Sequence, residues 1–371
     1  MTTPLRLGTA AARAGKIQYG QWDAFTHPTG QTEWLPVIIA QGKKDGPCIW
    51  LTAGIHGPEH TGPTVLYKLL TPELVDDLQG TIVMLPALSP AGLRTMSYVP
   101  HHEPVNPNRL WPSGRPEADP HKLAARTPTE RAFARLFEEM RASADFLIDY
   151  HNAWIGSLSF AFRDRVLFHT KGDVKANQAE AEKLAERQME MLEAYGHTII
   201  TELPASKYID ENYHRATSGA ALLLGRIPAL TLELGTGELP DPAIVRAAVA
   251  GTRNVLRWAG MLSGDREPID GIQVVNPGYR VRHNWDIRAQ EGCIVLHTVE
   301  AGDMVKAGQP IAEVRDVWGR PLGEGVIRAE HDGFVIGRAH GIYFYPGQEI
   351  IYLAIPDNEA IVAPFPDDYY K

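Results

Sequence analysis

Short apolar runs bounded by Gly, Pro or charged residues, rather than strict alternation, mark the first two thirds of the chain. Leu35-Pro-Val-Ile-Ile-Ala40, Cys48-Ile-Trp-Leu-Thr-Ala53, Thr81-Ile-Val-Met-Leu-Pro86, Phe146-Leu-Ile-Asp-Tyr150 and Ala229-Leu-Thr-Leu232 are five such runs. Runs this short and this apolar suit strands buried on both faces of a sheet. Between them, Val65, Leu66, Leu69 and Leu70 fall at helical spacing behind Pro63, a residue suited to a first turn. Residues 129–140, 174–195 and 243–262 also predict helices. The alternation predicts an α/β layer fold, with a mixed, largely parallel sheet flanked by helices.

The pattern changes at Ser263-Gly-Asp-Arg-Glu-Pro-Ile-Asp-Gly271, which has linker composition. Beyond it come short alternating runs separated by Gly turns, with no helical period. The expected organisation is therefore an α/β unit over residues 1–265 and a small all-β unit over 270–371. Glu300-Ala-Gly-Asp303 and the residues up to Glu313 resemble half of a biotinyl/lipoyl-type β-sandwich, and Glu330-His-Asp-Gly-Phe-Val-Ile336 the other half. A carrier would present a lysine at the turn between the halves. No lysine lies between Ala312 and Arg328, so the fold is expected without the carrier role.

Composition narrows the function classes. A chain of 371 residues that is 44% hydrophobic and 22% charged is an ordinary globular protein, long enough for one large and one small domain. Its 36 basic and 45 acidic residues leave a net charge of −9, with no basic excess to hold nucleic acid. Cys48 and Cys293 are the two cysteines and form no CxxC pair, which excludes a disulfide framework and a thiolate zinc site. With 14 histidines remaining, a metal site must use nitrogen and oxygen donors. The start shows no basic-then-apolar leader, and no run of ~18 apolar residues follows. The expectation is a soluble cytoplasmic protein without membrane or nucleic-acid partners; a homo-oligomer is left open.

Three predicted strands end beside residues able to bind metal or move protons. One leads into His56 and Glu59, one into His151, and one into Glu233. In open α/β sheets the site lies beyond the carboxyl ends of the strands, so residues far apart in sequence can converge there. Two imidazoles and a carboxylate make the donor set of a catalytic zinc with one position left for water. A further carboxylate must take the water proton and pass it to a leaving amine, a role that fits Glu233. Taken singly, His56 reads as a turn histidine, His151 as a strand-end histidine satisfied by the backbone, and Glu233 as a salt-bridged carboxylate. Their common position at strand ends sets them apart. His101-His102-Glu103, followed by Pro104, reads as a solvated loop. Trp111 and Trp154 lie close enough in sequence to the candidates to line a pocket. HExxH, GxSxG, a P-loop and a dinucleotide fingerprint are all absent from the sequence.

Gly54-Ile-His-Gly-Pro-Glu59, Asp149-Tyr-His-Asn152 and Ile227-Pro-Ala-Leu-Thr-Leu-Glu-Leu-Gly235 resemble the succinylglutamate desuccinylase/aspartoacylase family, which has the zinc carboxypeptidase fold. The resemblance extends to Ser89-Pro-Ala-Gly-Leu-Arg94, to Asn106-Pro-Asn-Arg109-Leu-Trp-Pro112 and to the β unit after the linker. It implies one zinc per chain on His56, Glu59 and His151, with Glu233 as general base and acid. It implies that Asn108 and Arg109 hold a substrate carboxylate, a task suited to the planar guanidinium. Arg94 would polarise the scissile carbonyl. The implied reaction is zinc-dependent removal of an acyl group from a small N-acyl amino acid or related amine.

Two departures bear on the substrate. Pro107 replaces the leucine of the usual Asp-Leu-Asn-Arg and restricts the residue before it. Thr64 stands near the place where aspartoacylases carry an arginine for a second carboxylate, so a monocarboxylate substrate is expected. The β unit is expected to wall the site and limit substrate size. A carboxypeptidase acting on peptides and a non-catalytic binding module with a decayed site are the other readings; peptide assays and metal analysis separate them.

Overall fold

The computed structural model describes residues 4–115, 126–153, 156–235 and 237–370. The five apolar runs become the strands Thr32–Gln41, Lys44–Ala53, Gln79–Leu85, Phe146–His151 and Ala229–Leu234. All belong to one twelve-stranded sheet. At its centre Ala229–Leu234, Phe146–His151, Lys44–Ala53 and Gln79–Leu85 lie side by side and parallel. Successive side chains enter opposite cores: Ile49, Leu51, Ile148 and Leu232 on one face, Trp50, Leu147 and Ala229 on the other. Burial on both faces is why these strands read as unbroken apolar runs.

The helices expected from the sequence are Thr61–Leu69, Pro128–Ser143, Val174–Tyr195 and Pro242–Trp258. Pro128–Ser143 starts at a reciprocal cap in which the Thr127 side chain accepts from the Glu130 amide and Glu130 accepts from the Thr127 amide. Pro242–Trp258 stops short of residue 262 because Gly260, at φ +72°, turns the chain away. The sequence pattern did not foresee the antiparallel strand Lys16–Thr26 at one sheet edge, or the strands Ser159–Arg163 and Thr198–Thr201.

After the linker the chain is β-rich, as expected. Pro321–Arg328, Pro310–Arg315, Cys293–His297 and Tyr343–Phe344 form a separate four-stranded sheet over a core that includes Val295, Ile311 and Phe344. The other strands do not stand apart. Val281–Asn284 pairs in parallel with Thr198–Thr201 and antiparallel with Ile351–Pro356, so the large sheet continues across the linker. Fully buried Arg165 pins the same seam: its Nη2 donates to both carboxylate oxygens of Asp357 at 3.0 Å. Its other donors reach the carbonyls of Glu202, Leu203, Glu359 and Ala360.

Candidate active site

The carboxyl ends of the central parallel strands open into a cavity of about 470 Å³. His56, Glu59, His151, Asn108, Arg109 and Glu233 all line it. Strand register sets Glu233 directly opposite His151 and Ala53 opposite Tyr150. His56 and Glu59 come from the tight loop after Ala53. That loop needs its glycines: Gly54 has φ +65°, and a Cβ on Gly57 would lie 2.1 Å from the Gly92 carbonyl oxygen. Glycine thus lets the loop press against the short helix Pro90–Thr95 and turn both side chains inward.

His56, Glu59 and His151 are buried, and one donor atom from each lies within 4.8 Å of the others. Glu59 divides its carboxylate between the imidazoles, with Oε1 2.8 Å from His56 Nδ1 and Oε2 2.8 Å from His151 Nδ1. The opposite ring nitrogens also meet oxygen. His56 Nε2 is 2.9 Å from Asn106 Oδ1, and His151 Nε2 is 2.9 Å from Asp149 Oδ2. Asn106 Oδ1 accepts the Asn108 amide as well, which fixes it as an acceptor. A neutral imidazole has one N–H, so each ring faces more acceptors than it has protons. A second proton on each ring, or a divalent cation among the three groups, resolves the conflict. Two imidazole nitrogens and a carboxylate, with each outer N–H held by oxygen, are the chemistry of a catalytic zinc site.

The electrostatics are mutual. Burial raises the Glu59 carboxyl, but His56 and His151 outweigh it and hold the group well below its usual range. Burial lowers His151, and the carboxylates of Asp149 and Glu59 overcome that and raise it. Glu233 moves upward, chiefly through burial, with Glu59, Glu202 and Asp149 adding and His151 opposing. A carboxyl raised in this way is poised to exchange protons near neutral pH.

Asn108 and Arg109 reach the cleft from a short 3-10 turn. Asn108 is anchored through Oδ1, which accepts from the Thr217 amide at 2.9 Å and hydroxyl at 3.0 Å; its Nδ2, a donor, lies 3.2 Å from His151 Nε2, whose proton goes to Asp149. Arg109 sits over the Tyr213 ring, 4.2 Å from its centroid, and donates to the Glu211 and Asn108 carbonyls. Among the described residues no carboxylate pairs with it, so its charge remains for the cleft.

Several expectations are corrected. Arg94 is not at the cavity; its Nη2 donates to buried Glu33 at 3.0 Å, and its side chain is 60% exposed. The carboxylate of Glu33, from the antiparallel strand Thr32–Gln41, captures a guanidinium that sequence order had placed near the chemistry. Trp111 is fully buried against Phe133, with ring centroids 4.7 Å apart. Trp154 lies outside the described residues. Thr64 bonds back to the His60 carbonyl and faces a different cleft. The His101–Glu103 loop is not simply solvated: Glu103 is 3% exposed, and His27 joins His101 and His102 in a cluster with one ring nitrogen each within 4.8 Å.

Sequence reasoning also missed residues lining the cleft and one buried behind it. Tyr98 stacks on His56 with centroids 3.9 Å apart. Asp149 was quoted only as part of a motif, although its spacing two residues before His151 on one strand puts both on the same face. Tyr213, Asp164 and Glu202 carried no local signal.

A mixed sheet flanked by helices, with a buried His–Glu–His cluster beyond the carboxyl ends of its central parallel strands, is the fold class expected from the sequence. Residues 45–259, more than half of the chain, match the succinylglutamate desuccinylase/aspartoacylase catalytic domain. The chain belongs to that family. It is 25% identical over 311 residues to the N-alpha-acetyl-L-2,4-diaminobutyric acid deacetylase of Halomonas elongata, covering 82% of this chain and 80% of the relative. The succinylglutamate desuccinylase/aspartoacylase of Rhodobacter sphaeroides superposes with a TM-score of 0.69 at 20% identity, covering 92% of this chain and 96% of the other. The product-bound ectoine utilization protein EutE (DoeB) of Ruegeria pomeroyi gives 0.69 at 20% identity, covering 95% and 97%. No helix among the described residues is long and apolar enough to cross a membrane.

Proposed function

We propose that the chain is a metal-dependent deacylase that hydrolyses the amide of a small N-acyl amino acid or related amine. The observation that carries this is the convergence of His56, Glu59 and His151 with Glu233 opposite His151 in register. The deacetylase activity in the name of the Halomonas elongata relative supports it. His56, Glu59 and His151 would hold one zinc ion, which when bound supplies Lewis acidity to water and to a carbonyl oxygen. Asp149 and Asn106 fix the imidazoles through their outer nitrogens, and the Tyr98 ring limits rotation of His56. Glu233 takes the proton of the attacking water on its carboxylate and returns it to the leaving nitrogen. Arg109 binds the substrate carboxylate, and Asn108, held through Oδ1 by Thr217, offers its Nδ2 donors beside it. Arg94 has no part.

Residues 1–265 form the proposed catalytic unit and 270–371 the cap. Trp285 and Glu349 of the cap line the cavity, which favours compact N-acyl amino acids over long peptides. The test is Glu233→Gln, assayed on a panel of N-acetyl, N-formyl and N-succinyl amino acids with zinc added. Zinc content should stay near one per chain while kcat falls by roughly 10²–10⁴-fold. Near wild-type turnover in the variant would overturn the mechanism.

A further inference from the structure

A second set of nitrogen donors stands near the sheet edge, outside the cleft. The strands Lys16–Thr26 and Thr32–Gln41 are joined by a tight turn, in which the His27 amide donates to the Gln31 carbonyl at 2.8 Å and the Gly30 amide to the His27 carbonyl at 2.9 Å. Across from it, the Glu103 amide donates to the Pro100 carbonyl at 3.0 Å, closing a turn with His101 and His102 at its centre. One ring nitrogen from each of His27, His101 and His102 lies within 4.8 Å of the others. Ring centroids are 5.1 Å apart for His101 and His102, 5.4 Å for His27 and His102, and 6.1 Å for His27 and His101. None of the three lines the deacylase cavity.

Hydrogen bonding leaves these rings available as ligands. Glu33 Oε2 is 2.9 Å from His27 Nε2 and also accepts from Arg94 Nη2 at 3.0 Å. A carboxylate paired with a guanidinium only accepts, so the His27 proton sits on Nε2 and Nδ1 keeps its lone pair. A carboxylate behind an imidazole in this way is the usual support of a metal-binding histidine. The bond to Glu33 is the one hydrogen bond that a ring nitrogen of the three makes among the described residues, and the buried Nδ1 of His102 has no partner among them. Protonating all three rings would crowd like charges together near Arg94, while leaving them neutral strands a lone pair on each. One cation shared by the three answers both problems. The next residue, Glu103, is 3% exposed, and neither of its carboxylate oxygens has a hydrogen-bond partner among the described residues. A buried carboxylate gains from a cation in its neighbourhood.

We propose that His27, His101 and His102 form a second metal site, for a divalent transition ion of the class that favours imidazole, such as nickel, copper or zinc. Nitrogens bonded to such an ion at ~2.0–2.1 Å stand about 3.3 Å apart, and rotation of the exposed His101 side chain closes the set to that spacing. With no anionic ligand and one exposed imidazole, the site holds an exchangeable ion, more loosely than the buried cluster in the cleft. Its place in the chain gives it a task. The loop that carries His101 and His102 begins at Tyr98, which stacks on His56, and ends at Asn106, whose Oδ1 meets His56 Nε2. An ion at the turn ties the middle of that loop to the His27 turn and steadies the wall of the cleft from outside.

The test dialyses zinc-loaded protein against nickel(II) and counts both metals by mass spectrometry. About one nickel per chain should bind while the zinc stays. The double variant His101→Ala, His102→Ala should lose that nickel and keep the zinc. Glu33→Gln, which leaves an acceptor for Arg94, should weaken nickel binding by about 10–100-fold. Should the double variant fold poorly by circular dichroism, His27→Gln on the other turn makes the same comparison. No nickel bound by the wild type, or nickel undiminished in these variants, overturns the site. His56→Ala separates it from the deacylase reading: the zinc should go and the nickel remain. Nickel that disappears with His56 belongs to the cleft, and the second site fails. If zinc never loads but nickel follows His27, His101 and His102, the zinc assignment in the cleft fails and the second site stands. Hydrogen exchange over residues 97–105 should slow when nickel is added to the wild type and not to the double variant; an unchanged rate in the wild type overturns the clamping role.

Discussion

Replacing Asp149 with asparagine isolates the part of the site that acts only by aiming another residue. Asp149 is fully buried on the Phe146–His151 strand, accepts the Thr52 hydroxyl at 2.6 Å, and places Oδ2 2.9 Å from His151 Nε2. Asparagine preserves the volume but removes the charge that holds the His151 N–H and strengthens its Nδ1 as a donor to metal. A hydrogen bond to a charged group is worth about 1.5–3 kcal/mol, or about 10–150-fold in an equilibrium constant. Carboxylates behind metal-binding histidines change metal affinity by roughly 10–100-fold when removed. The two figures agree. We therefore expect Asp149→Asn to raise the zinc dissociation constant by about 10–100-fold. The assay is competition between the protein, stripped of metal, and a chromophoric chelator, with circular dichroism confirming the fold. Zinc affinity within twofold of wild type in a folded variant refutes the argument that Asp149 orients His151 for metal.

Three further outcomes follow from named contacts. Arg109→Ala should lower kcat/KM by about 10–150-fold, mainly through KM, and a substrate amide lacking the α-carboxylate should not distinguish it from wild type. His197 is 3% exposed, and burial lowers its pKa from 6.5 to about 3. The unfolded chain therefore takes up a proton below about pH 6.5 that the folded one refuses. The stability this group protects is complete above that pH and falls as pH drops toward 3, by about 2 kcal/mol at pH 5; denaturant titrations should show a shallower slope in His197→Gln. Asp357→Ala strands Arg165 and also removes the partner of Arg280, 2.9 Å away. A loss of about 3–5 kcal/mol should appear as an earlier denaturation midpoint.

The central strands were legible because burial on both faces leaves an uninterrupted apolar run, and the donors were legible because each stands just past such a run. His56, Glu59, His151 and Glu233 are thus local signals whose convergence follows from parallel topology. Arg94 was misplaced because nothing near it reveals that Glu33, far upstream, takes its guanidinium. Trp111 was misjudged because proximity to Arg109 in sequence says nothing of which way a ring packs. Asp164 and Glu202 were silent for a related reason. Their place at the cleft is a property of three-dimensional surroundings, and along the chain both look like ordinary loop acids. The linker at 263–271 was visible in composition, but the strand pairing that bridges it is not encoded locally.

That bridging has a kinetic meaning. Trp285 and Glu349 border the cleft on a segment whose strands share hydrogen bonds with the sheet that carries Glu233, and Arg165 rivets the two at Asp357. Such a wall cannot swing like a door without tearing the sheet. Molecules must instead pass through a mouth whose width is set at folding, with loop motion alone to admit them. On the proposed deacylase reading, selection by size would then happen on the way in, before any bond is polarised, and an oversized amide would be turned back at the threshold rather than bound and left uncut.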